Sequence, residues 1–232
     1  MINRKLFYDG IRPSPFGGKL SQSQVDGIEA VLNFWESPPV NPDGDFGKQW
    51  GIRAPGWLAY MLATIYHETA TKMQPISEYG SNDYFTKHYE TRSDLGNGPA
   101  AGGQAGDGAR FHGRGFVQLT GRRNYTLMVP IVRHFYPDCP DFTTDPEAVK
   151  QLDYASTILF YGMFCGTFTG RALKHYIGDA SAGQGVDFVG ARHIINGNDR
   201  ASTIAGYAQH FMAALDSSMT AVHVHHRGER QT

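Results

Sequence analysis

Residues 111–125 read FHGRGFVQLTGRRNY, and no other stretch of the chain says as much about its fold. Gly113 and Gly115 let the backbone approach another group closely, while Gln118, Thr120, Asn124 and Tyr125 supply neutral donors and acceptors. Such groups suit the hydroxyls and N-acetyl groups of a sugar; they equally suit a structural turn that leads into a helix. A nucleotide loop is excluded, because GRGFVQ lacks the third glycine of GxGxxG and no Walker lysine follows.

Upstream, from Ile76 to Arg114, glycine is dense and aromatics are scattered at Tyr79, Tyr84, Phe85, Tyr89 and Phe111. No helical period survives, so loops with short hairpins are expected across about 76–114. A long irregular insertion of this kind inside a compact domain usually serves function, which places a cleft here. Before it, Pro55 suits the first turn of a helix carrying Trp57/Leu58, Met61/Leu62 and Ile65/Tyr66, which should end before Pro75. Earlier still, Ser21 and Gln24 form a capping box, and Val25, Ile28, Leu32 and Trp35 recur at helical spacing until Pro38-Pro39. A Pro/Gly/Asp loop then runs to about residue 53.

Downstream, Pro130 predicts a break or kink. A helix start at Asp145-Pro146-Glu147, a buried helix near Tyr154–Phe164 and a last helix with Ile204, Ala208, Phe211 and Leu215 in register follow. The tail, about 217–232, reads as frayed and contains His223, His225 and His226. The chain is thus mainly α, and neither a repeat nor a composition step divides residues 1–232, so one domain is expected.

At 232 residues, 41% of them hydrophobic, the chain can build a substantial core. A formal net charge of -1 leaves no electrostatic footprint for nucleic acid. The N-terminal residues MINRKLFYDGIRPSPFGGKLS lack the apolar core of a secretion signal, so a cytoplasmic location is expected. The most apolar run, 155–168, is too short for a bilayer span, and no membrane anchor is expected. Two cysteines, Cys139 and Cys165, suggest two buried thiols rather than a disulfide framework or a metal knuckle. No cofactor or metal is expected, and the protein is expected to act as a monomer.

The helix that starts at Pro55 delivers YHETAT, with Glu68 close to the seam of Met61, Leu62 and Ile65. A carboxylate half-buried beside apolar groups has its protonated form favoured, as a general acid requires; a solvated helix glutamate is the plainer alternative. HExxH zinc chemistry fails, because Thr71 stands where the second histidine belongs. Glycosyl transfer to water needs a second carboxylate across the scissile bond, and Glu78 in PISEYG and Glu90 in KHYETRSDLGN are the candidates.

YHETAT, GRGFVQLTGRRNY and ARHIINGND stand in the order seen in family 19 of the glycoside hydrolases, which the chain resembles from residue 5 to about 215. The opening SPFGGKLSQSQVDGIEAVLNFW, the PISEYG turn, YETRSDLGN and YGMFCGTFTG look most like phage and prophage endolysins of that family. The resemblance implies a lysozyme-like α+β fold with a deep cleft, and inverting hydrolysis of β-1,4 bonds between N-acetylated sugars. Carried onto matching positions, Glu68 is the acid and Thr120 holds the attacking water. Gln118, Asn124, Tyr125 and Asn196 contact sugar, while Arg114 and Arg192 orient carboxylates or loops. The base falls on Glu90 by the spacing of plant chitinases and on Glu78 by that of compact endolysins; Glu78 is preferred. The substrate implied is the glycan strand of peptidoglycan, reached from the host cytoplasm after the membrane is permeabilised. A chitinase and a catalytically inactive sugar-binding module are the alternatives.

Overall fold

The computed structural model describes residues 1–39, 54–178 and 183–228, with side chains as far as Met219. The expected loop up to residue 53 lies outside the described residues. At the centre is helix α3, Pro55–Glu68, in which every residue from Gly56 to Tyr66 is buried. A helix apolar on all sides can be stable in water only if neighbours cover it on all sides. Three of those neighbours are α2 (Gln22–Glu36), α7 (Leu152–Cys165) and α8 (Ala201–Gly228), while α1 (Arg4–Ile11) packs on α8.

The local signals for α2 and α3 translate directly into geometry. Ser21 Oγ accepts from the Gln24 amide at 3.2 Å and Gln24 Oε1 accepts from the Ser21 amide at 2.9 Å, closing the capping box. Pro55 occupies the first turn of α3, where its missing N–H costs nothing. The helix ends at Glu68, and the chain then turns through Ala70, Thr71 and Met73 at φ 48°, 67° and 54°. Such left-handed conformations cost non-glycine residues about 1–3 kcal/mol each and persist only when held. The holding groups are present. Thr69 Oγ1 accepts from the Met73 amide at 3.0 Å, and Gln24 Nε2 donates to the Thr71 carbonyl at 2.9 Å. Gly27 of α2 gives the turn room, since a Cβ there would stand 1.7 Å from the Met73 carbonyl oxygen.

The segment 76–114 departs from the expectation of loops and hairpins. Its ends pair as a short antiparallel ladder, β1 (Ile76–Ser77) with β2 (Arg114–Gly115), in the register Ile76 to Gly115 and Ser77 to Arg114. Between them lie a true helix, α4 (Asn82–Tyr89), a single turn, α5 (Asp107–Arg110), and two 3-10 turns. Helix α4 is made by its ends: Ser81 Oγ caps the Tyr84 amide, Asp83 stands in the first turn, and Lys87 and His88 in the last. It buries only Phe85, so it leaves no apolar period to read.

Helix α6 (Arg122–Phe135) runs through Pro130, so of the expected break or kink the break does not occur. The lost backbone bond is outweighed by the buried face of Tyr125, Met128, Val129 and Val132, which spans both sides of the proline. Cys139 is buried as expected, but Cys165, the last residue of α7, is exposed; both are free thiols.

Candidate active site

Glu68 ends α3 half-buried, with 16% of its side chain exposed. Its recorded polar partner is a guanidinium. Its Oε1 accepts from Arg192 Nη1 at 2.5 Å, and Arg192, almost wholly buried, also donates through Nε to the Asp199 carbonyl at 2.9 Å. Arg192 lies in a 3-10 turn, Gly190–Ile194, that leads directly to Asn196. The guanidinium therefore ties the carboxylate at the end of the central helix to the segment bearing Asn196, and it fixes the carboxylate's orientation. Among the described residues, Oε2 of Glu68 has no recorded hydrogen-bond partner.

Glu78 follows β1 directly. Its amide donates to the Gly113 carbonyl at 2.8 Å, so the ladder itself sets its backbone. Tyr89 Oη donates to both carboxylate oxygens, at 2.9 and 3.1 Å, and the Gly113 amide reaches Oε2 at 3.2 Å. Burial and the adjacent Glu78 carboxylate push the Tyr89 phenol well up, so it stays protonated and remains a donor. Gly113 is where close approach is needed: a Cβ there would stand 2.9 Å from Gln118 Oε1 and 3.2 Å from Glu78 Oε2. Both polar groups thus converge on the same bare stretch of backbone.

Glu90, the other base candidate, is fully occupied. Its two oxygens accept the amides of Gly106 and Gly108 at 2.8 and 2.7 Å, which orders the loop entering α5. The same loop is clasped by Asp107, whose buried carboxylate takes Arg122 Nε and Nη2 at 2.7 and 2.6 Å. Burial alone would raise Asp107, but the Arg122 fork and the Gln104 amide hold it below the usual carboxylate range. Asn97 links the clasp to α6 by accepting the Arg122 amide at 2.8 Å and donating to the Tyr89 carbonyl at 3.0 Å.

A groove of about 560 Å³ is walled by four stretches of chain, 92–95, 117–124, 168–171 and 193–197. Two of these walls are 117–124, with Gln118, Thr120 and Asn124, and 193–197, with His193 and Asn196. Four of the residues expected to meet substrate therefore line one groove. Neither Glu68 nor Glu78 is itself among the lining residues; Glu68 is bonded to Arg192, the neighbour in sequence of the lining residue His193, and Glu78 lies against Gly113 close to the lining residue Gln118. The turn from Arg114 to Leu119 is closed by reciprocal backbone bonds of 3.2 and 2.8 Å and puts Gln118 at φ 54°. Thr120 Oγ1 donates to the Gln118 carbonyl at 2.8 Å, so its hydrogen is committed and its lone pairs are left to accept. Asn124 Nδ2 donates to the Thr120 carbonyl at 2.8 Å.

Tyr125 is a correction. It is fully buried, with its hydroxyl donating to the His112 carbonyl at 2.9 Å and accepting from Arg114 Nη1 at 3.0 Å. It braces the wall from behind and cannot contact sugar. Arg114, also buried, extends that brace to Glu147 at 2.6 Å. Residues that the sequence alone did not single out for the site are Tyr89, Asp107 and Arg122. Tyr89 and Arg122 lie within the quoted motifs, but nothing local marks their partners.

Among solved structures, the chain is similar to that of a chitinase C mutant, with a TM-score of 0.50 over 93% of this chain and 76% of that one. The two chains share a fold. At 17% sequence identity the likeness speaks for the fold alone. No protein-family model matches the chain. Among the described residues, no helix is long and apolar enough to cross a membrane.

Proposed function

We propose that the protein is an endolysin, a glycoside hydrolase that cuts β-1,4 bonds between the N-acetylated sugars of peptidoglycan with inversion. The observation that supports the reading is a pair of carboxylates held in fixed orientation, Glu68 by Arg192 and Glu78 by Tyr89 and the Gly113 amide, near residues that line one groove. Glu68 is assigned the proton donated to the leaving glycosidic oxygen. Glu78 takes a proton from water as that water attacks the anomeric carbon from the other face of the ring. Thr120 accepts the second hydrogen of the same water, because its own hydrogen is spent on the Gln118 carbonyl. Gln118, Asn124 and Asn196 bind hydroxyl and N-acetyl groups along the groove. The motif likeness to phage endolysins supports the peptidoglycan substrate and a working life that begins in the host cytoplasm.

The shared fold with a chitinase favours a second reading, hydrolysis of N-acetylglucosamine polymers. Digestion of permeabilised Gram-negative cell walls, followed by mass spectrometry of the soluble products, separates the two. Release of muropeptides with slow turnover of chitin oligomers is expected. Fast chitin hydrolysis without muropeptides would replace the first reading by the second.

The role of Thr120 has its own test. Thr120→Ser keeps the hydroxyl and is expected to retain most activity. Thr120→Val keeps the shape but removes the acceptor, and a loss of about 10²-fold is expected, on the scale of a lost group that positions or activates the nucleophile. Equal kcat in the two folded variants would show that the hydroxyl is dispensable.

A further inference from the structure

The groove carries more positive charge than a neutral polysaccharide requires. Arg92, Arg123 and Arg171 line it, against one acidic lining residue, Asp94, in a chain whose formal net charge is -1. Asp94 is already engaged, taking Arg92 Nε and Nη2 at 2.7 and 2.6 Å. Arg123 and Arg171 are exposed, and among the described residues neither guanidinium makes an ion pair within 4 Å or a side-chain hydrogen bond.

Their backbones are nonetheless firmly placed. Gly96, at φ 71°, lets Arg123 pack so close that a Cβ on the glycine would stand 2.9 Å from the arginine Cβ. Gly166, also at φ 71°, does the same for Arg171, whose backbone would lie 2.9 Å from its Cβ. Arg123 moreover stands in the first turn of α6, where a cation opposes the helix macrodipole. Its neighbour Arg122 is compensated by Asp107. Arg123 has no carboxylate within ion-pair distance among the described residues; hydrogen-bonded Arg92 holds the Asp94 carboxyl below the usual range, and the charge of Arg123 adds to that effect.

We infer that Arg123 and Arg171 form a carboxylate-binding subsite at the groove and make the enzyme prefer glycan strands that carry acidic substituents over uncharged ones. This rests on the proposed glycosidase reading and deepens it. Guanidinium groups bind carboxylates by paired, charge-assisted hydrogen bonds. Chitin offers no carboxylate. A peptidoglycan strand offers them from two sources, the acidic residues of its peptide stems and, where a stem has been removed, the lactyl group of the muramic sugar.

The test compares wild type with Arg123→Gln, Arg171→Gln and the double variant on three soluble substrates: stem-bearing glycan, amidase-stripped glycan and chitin oligomers. Kd is measured by calorimetry and kcat/KM by product analysis, at low and at 0.5 M salt. The double variant is expected to lose about tenfold in affinity for one or both acidic substrates, with little change in kcat and a flattened salt dependence. Loss on stem-bearing glycan alone assigns the peptide carboxylates, and loss on stripped glycan alone assigns the lactyl group. An unchanged ratio of acidic to neutral substrate, in binding and in kcat/KM, overturns the inference. If wild type binds acidic glycan through these arginines but hydrolyses none of the substrates, the subsite stands and the glycosidase reading falls. If wild type does not bind acidic glycan, the subsite falls whatever the activity.

Discussion

Glu68→Gln is expected to lower turnover by about 10² to 10⁴ while the protein still folds, the range typical for loss of a general acid. Glutamine is nearly isosteric and its amide oxygen can keep accepting from Arg192 Nη1, so the orientation of the side chain survives. What is lost is the transferable proton. In its ionised form the same carboxyl is the partner of a buried guanidinium, and losing that partner destabilises by up to about 3–5 kcal/mol. Activity must therefore be read well below the melting temperature of the variant, with helical content checked by circular dichroism. A folded Glu68→Gln protein that clears wall turbidity at close to the wild-type rate would end the assignment of Glu68.

Glu78→Gln and Glu90→Gln are expected to fail in different ways. Glu78 is held by one phenol and one amide, and both can still be satisfied by the carbonyl oxygen of a glutamine. The fold should therefore persist while turnover falls by about 10² or more, because an amide cannot take the proton from water. Glu90 uses each oxygen on a different backbone amide. A glutamine there turns an –NH₂ toward one of those amides, leaving a donor facing a donor at a cost of about 1–3 kcal/mol. Its signature is a lower melting temperature with turnover largely kept in the folded fraction. If Glu78→Gln keeps near-normal turnover while Glu90→Gln is folded and inactive, the base is Glu90.

These residues also show which information was local. Helices α2 and α3 could be read because their signals sit within a few positions: a capping box at Ser21 and Gln24, a proline at the first turn, and dense apolar side chains after it. Helix α4 could not, because a helix that buries one phenylalanine has no period and is defined by its caps. Tyr125 was placed on the wrong side of its wall. The groups that make a tyrosine suit a sugar also let it satisfy a buried carbonyl, and residue type does not tell inward from outward. Glu68 stands at the end of its helix as expected, but which group would hold it could not be read from the residues around it. Its partner Arg192 is 124 positions away, and nothing in YHETAT announces it. Asp107 and Arg122 were invisible for the same reason: they meet only after the glycine-rich loop has folded back on α6.

The left-handed turn after Glu68, docked against Gly27, has a consequence for how such a protein can change over generations. On the proposed assignment it joins acid to base through only nine intervening residues, so the spacing of the reacting pair is inherited as one short, internally braced cassette. The residues proposed to meet the rest of the sugar chain come from distant parts of the sequence, 117–124 and 193–197. Charge changes at groove positions that hold neither carboxylate, such as Arg123 and Arg171, leave the cassette untouched. Substrate range is free to drift from one polysaccharide to another under a reaction that stays the same.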